Sequence, residues 1–225
     1  LRIRKQFLYE NRKNVKAAII VWDQQEKYLD RKHVIEAAWN WINMTIPVIS
    51  STFASFSRMC KNLGAETLGH LFIDEAGQAL PQAAVGAIYR SRHVMVVGDP
   101  LQIKPVLTLD SNTLYMLGEH FGVTEKYLSA SASAQILADA ASQYGFYRKQ
   151  DKAEDSWVGI PLWVHRRCRY PMFTISNMIS YDGFMVQGME KYGKTDWFDV
   201  GGTANNKYVE EQGEFLLHKL KEMID

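Results

Sequence analysis

Apolar positions fall into two textures along the 225-residue chain. From Ile3 to Met44 they recur at three- and four-residue spacings among Lys, Glu, Gln and Ala, as at Val34, Ala37, Ala38, Trp41 and Ile42. That periodicity predicts helix, with Trp39 and Trp41 as packing residues. Within it, Ala17–Trp22 is apolar throughout and fits either a buried helix or a short strand. The texture changes at Pro47. Short apolar runs at 47–52, 71–74 and 93–99 alternate with helical stretches at 57–63 and 78–89. Each run ends in polar residues: Ser51-Thr52, Asp74-Glu75 and Gly98-Asp99. Such alternation predicts a parallel α/β sheet, in which functional groups gather beyond the carboxyl ends of the strands. Further on, the pattern predicts a helix at 129–144, a charged loop at 147–155, strands at 160–164 and 195–200, and helices at 171–180 and 208–224, the last amphipathic. A domain seam is expected near 148–159.

Composition narrows this only a little. The chain is 47% apolar and 23% charged, ordinary values for a globular core, and a net charge of +1 argues neither for nor against a polyanionic partner. Locally, Leu1–Lys16 sets six cations against Glu10 alone, and Arg166, Arg167 and Arg169 form a second basic knot. Two cysteines make no disulfide framework. His165 and Cys168 have a ligand-like separation but no second pair, so zinc is not expected. These features, with no apolar run as long as a membrane span, lead us to expect an intracellular, cytoplasmic setting.

Two strand-end clusters carry candidate chemistry. Asp74-Glu75-Ala76-Gly77 offers a hard oxygen ligand for Mg²⁺ at Asp74 and, at Glu75, a carboxylate able to orient or deprotonate water. An acidic turn opening the next helix accounts for the same residues. Gly98-Asp99-Pro100-Leu101-Gln102 ends the following strand. The Gln102 amide can donate to a terminal phosphate, although a Gly-Asp-Pro turn is common without any such role. Ser51, Thr52 and Phe53 offer hydroxyls, amides and a ring to a nucleic-acid backbone and base; a helix N-cap and core packing are the plainer alternatives.

Taken in order, Asp74-Glu75-Ala76-Gly77, then Gly98-Asp99-Pro100-Leu101-Gln102, then 162–183 (Leu-Trp-Val-His-Arg-Arg-Cys-Arg-Tyr-Pro and on through Asn177, Tyr181 and Gly183), the chain resembles superfamily 1 nucleic-acid helicases of the nonsense-mediated-decay type. The resemblance implies a RecA-like P-loop NTPase fold: a helical arm at 1–46 (stalk and inserted subdomain), the first RecA-like domain at 47–155, and the start of a second at 156–225. It also implies ATP and Mg²⁺ as cofactors and single-stranded DNA or RNA as partner. Asp74 would hold Mg²⁺, Glu75 would activate water, and Asp99 and Gln102 would face the nucleotide. His165 and Arg166 would lie beside it, with Arg166 against the adenine, and Arg167 would stabilise the charge gained by the transferring phosphate. Ser51, Thr52 and Phe53 would fall on the family's strand-contacting motif.

The chain departs from the family in two respects that bear on catalysis: the late motifs, which carry a second arginine, are not found in it, and neither is the phosphate loop. No Gly-x4-Gly-Lys-Ser/Thr precedes Asp74, so no phosphate-cradling loop stands in motor order. Gly188-x4-Gly193-Lys194-Thr195 fits the letters but follows a turn and leads into an expected strand, not a helix. These residues are therefore expected to be a piece of a longer motor, inactive in ATP hydrolysis alone. A non-catalytic helicase-like binding module and a P-loop ATPase of another kind remain the alternatives.

Overall fold

The computed structural model describes residues 2–99, 101–107, 109–124, 127–128, 132–148, 156–189 and 192–224. The chain divides into two compact units, Leu1–Pro161 and Leu162–Asp225. It mixes helices with short strands. Among the described residues no helix is long and apolar enough to cross a membrane.

The first unit opens with α1 (Arg2–Glu10), α2 (Arg12–Asp23), a 3₁₀ turn at Gln25–Tyr28 and α3 (Lys32–Thr45). Ala17–Trp22, ambiguous in the sequence, is helical. Ile35 and Trp39 on α3 are buried with Cys60 and Leu63, and Tyr28, Phe56, Met59 and Leu68 pack around them. Trp41 instead stacks on Phe7, ring centroids 5.9 Å apart. The α3 face thus shares a core with the segment that follows it.

The expected strand at 47–52 does not form; those residues are exposed and irregular, with Val48 81% exposed. An apolar run becomes a strand only where a ladder receives it, and among the described residues no strand pairs with this run. Its backbone is extended for a different purpose: Thr52 (φ −75°, ψ 158°) caps α4 (Phe53–Met59), its hydroxyl accepting from the Ser55 N–H at 3.3 Å.

β1 (Leu68–Ile73) and β2 (Ser91–Val96) form a parallel pair joined through a 3₁₀ turn at Ala76–Gln78 and α5 (Pro81–Tyr89). Parallel neighbours need such a crossover, and Pro81 at the first turn of α5 suits a position whose N–H has no helical partner. Leu71, Ile73 and Val96 point into a second core with Ala76, Ala79, Ala84, Ile88, Ala134 and Phe53. The opposite face shows His70 stacked on His93 (5.0 Å), and Phe72 beside Met95, both exposed. The unit continues through α6 (Ser111–Phe121), capped by Asp110 and closed by Gly122 at φ 65°, and α7 (Ala134–Ala141). β3 (Phe146–Arg148) pairs antiparallel with β4 (Ser156–Val158). Tyr147 and Arg148, expected to open the charged loop, are therefore hairpin strand, and 149–155 lie outside the described residues.

In the second unit β5 (Val164–His165) runs parallel to β6 (Val186–Gln187), with α8 (Met172–Tyr181) between them. β7 (Ala204–Asn205) and β8 (Tyr208–Val209) form a small hairpin before α9 (Glu210–Ile224). The expected strand at 195–200 is irregular: among the described residues it has no partner strand, and Trp197 is exposed.

Candidate functional site

β1 and β2 end side by side, and their ladder continues past the last strand residues. The Val97 N–H donates to Ile73 O (2.8 Å) and the Ala76 N–H to Val97 O (3.0 Å). Two glycines permit this approach. A Cβ on Gly98 would lie 2.6 Å from Gly77 N, and one on Gly77 would lie 2.4 Å from Asp99 O. The Asp74-Glu75 and Asp99–Gln102 segments are thereby brought to one end of the same sheet. These glycines carry the geometry, and they are visible in the sequence as the close of one cluster and the opening of the next.

Both clusters are internally wired. Asp74 Oδ1 accepts from the Glu75 N–H at 3.0 Å, leaving Oδ2 for a cation. Glu75 sits in the left-handed region (φ 52°, ψ 38°), where the chain turns out of β1. The Gln78 amide donates to Glu75 Oε2 at 3.2 Å. Asp99 Oδ1 accepts from the Leu101 N–H (2.9 Å) and Oδ2 from the Gln102 side-chain amide (2.8 Å). Gln102 is thus committed to Asp99 here. Asp74, Glu75 and Gln102 are exposed and Asp99 is half-buried.

Among the described residues no three His, Cys, Asp or Glu side chains gather as a self-contained metal site. Mg²⁺ does not require one, since it keeps several waters and takes one or two carboxylates together with substrate phosphates. Asp74, with one uncommitted oxygen, fits as a single ligand of that kind.

The remaining expected contacts divide differently. Phe53 is half-buried against the Ile73–Ala84 core, while Thr52 is exposed and caps α4 with its hydroxyl oxygen. Ser51 is exposed, its hydroxyl donating to Thr52 O at 2.9 Å.

In the second unit, His165 Nε2 accepts from the Cys168 N–H at 2.8 Å, and its ring lies against Phe173, 5.4 Å between centroids. Its role in the structure is to fold the turn on which Arg166 and Arg167 are displayed, both exposed. Asn177, buried within α8, clamps the turn beyond the helix: its amide donates to Met185 O (2.9 Å) and its oxygen accepts from the Met185 N–H (3.0 Å). The spurious phosphate-loop match is accounted for here as well. The Gly188 N–H donates to His165 O and the Gly193 N–H to Tyr170 O (2.7 and 2.6 Å), and no helix follows Thr195.

Comparison with protein-family models, curated proteins and solved structures gives no match for this chain.

Proposed function

We propose that these residues form the Mg²⁺-binding and phosphate-sensing part of an ATP-driven motor acting on single-stranded nucleic acid, with a RecA-like arrangement of β1, α5 and β2. The observation carrying this reading is the glycine-mediated apposition of Asp74-Glu75 with Asp99–Gln102 at one end of a parallel strand pair. Parallel sheets place reacting groups at that end, and the two carboxylates and the amide are the groups that phosphoryl transfer uses. Asp74 holds the cation, Glu75 orients the attacking water, and Gln102 reaches the terminal phosphate by giving up its bond to Asp99.

The test is ATP turnover by the polypeptide that carries these 225 residues at its full natural length, with and without a single-stranded oligonucleotide, in parent and Asp74→Ala/Glu75→Gln forms. Strand-stimulated turnover that falls by about a hundredfold or more supports the motor. Turnover indifferent to both substitutions, or none in either form, leaves a helicase-like binding module and removes the catalytic assignments.

A further inference from the structure

Of the residues expected to hold a strand, Thr52 also caps α4 and Phe53 packs against the Ile73–Ala84 core. A different surface has the composition for that task. Past the end of β5 and β6 the two chains approach once more, Tyr170 bridging to Tyr192 with the Gly193 N–H on Tyr170 O. The bridge sets the two tyrosines at partner positions, ring centroids 5.5 Å apart and 73° between planes. Tyr170 is 46% and Tyr192 80% exposed, so most of the Tyr192 ring faces solvent. Arg169 and Lys194 flank the pair: a Cβ on Gly193 would lie 4.0 Å from Arg169 Cβ, and both cationic side chains are exposed. Arg166 and Arg167, also exposed, precede Arg169 in the sequence, and Asp196 follows Lys194 by two residues.

We infer that Tyr170 and Tyr192, with Arg169 and Lys194 beside them, form a base-stacking platform for single-stranded nucleic acid. Every base offers a π-face to an aromatic ring, and neighbouring cations hold the phosphates that join the bases. A polyanion bearing planar bases matches both the two rings and the cations beside them. The inference rests on the motor reading for its biological sense, and its test requires no ATP.

The experiment is fluorescence anisotropy of a labelled oligo-dT or oligo-rU 12-mer with the 225-residue protein across a salt series. Tyr170→Ala and Tyr192→Ala are each expected to weaken binding about tenfold, and Tyr→Phe at either position by less than about twofold, since the ring and not the hydroxyl stacks. Arg169→Ala and Lys194→Ala should each lower the slope of log affinity against log salt by about 0.7. The Phe variants also guard against loss through misfolding, because they keep the ring pair. The platform is overturned if neither oligonucleotide binds, if the Ala variants bind like the parent, or if the Phe variants lose as much as the Ala ones. It is equally overturned if a duplex or poly-glutamate competes as well as the strand, which reduces the surface to charge alone, or if ATP displaces the strand at equal base concentration, which makes it a single-nucleotide pocket. A tyrosine-dependent affinity in a protein whose turnover ignores Asp74 and Glu75 keeps the platform and discards the motor; the converse result keeps the motor and discards the platform.

Discussion

At the scale of single residues, the clearest titration belongs to Cys60. It lies beneath Ile35, Trp39 and Leu63, and that burial pushes its thiol from an ordinary 9.0 up to about 11, partly offset by the nearby Arg90 guanidinium. Folding therefore favours the neutral thiol. Below pH 9 both folded and unfolded chains hold the proton and this group adds no pH dependence. Between pH 9 and 11 the unfolded chain releases it first, so stability falls as pH rises, by roughly 2–3 kcal/mol over the window. Urea unfolding of the parent and Cys60→Ala at pH 8 and 11 checks this: the stability difference between the two proteins should shrink by that amount. Equal losses in both would place the pH sensitivity elsewhere. Residues of this kind were hard to read in advance. The two acidic and amide clusters were legible because a strand-end carboxylate has a recognisable setting. The burial of Cys60 depends on α3 folding back onto residues 56–63, and the pairing of Tyr170 with Tyr192 depends on register, neither of which leaves a local mark.

At the scale of elements, the helices were read more faithfully than the strands. A helix satisfies its own backbone, so periodicity and caps locate it, as with α8 and α9. A strand exists only with a neighbour, so the apolar runs at 47–52 and 195–200 announced strands that no ladder receives. Asn177 shows how one side chain completes an element. From inside α8 it ties both polar groups of Met185, across a turn with Asp182 and Gly183 at positive φ. Asn177→Leu keeps bulk but leaves the part-buried N–H and C=O of Met185 without this partner, and should cost the second unit about 1–2 kcal/mol. Asn177→Asp keeps the acceptor and should cost less. Urea unfolding followed by NMR at the Phe173 and Met185 amides is the measurement. A leucine variant within about 0.5 kcal/mol of the parent would show that the clamp contributes little.

At the scale of the molecule, the two units differ in how much they bury. The first has two clusters of buried side chains, around Ile35 and Trp39 and around Ile73 and Ala84. In the second, Phe173 and Asn177 are the buried side chains among the described residues. Local stability follows buried apolar contact. Native-state hydrogen exchange should therefore show β1 and β2 protected at least on the order of tenfold more than β5, β6 and α8, with the second unit opening at lower denaturant. Uniform protection across both would mean that the chain opens as one cooperative body. The boundary between Pro161 and Leu162 follows β4, which turns back to pair with β3 and stays with the first unit.

The left-handed backbone at Glu75 has a consequence for descent. Any residue with a Cβ is strained there by about 1–2 kcal/mol, and glycine is not. The demand for stability pushes this site towards glycine, and the bond from the Gln78 amide and the proposed work of the carboxylate push back. In a lineage that still runs the chemistry the acid should persist against that drift; in one that has abandoned it, position 75 should be among the first to decay.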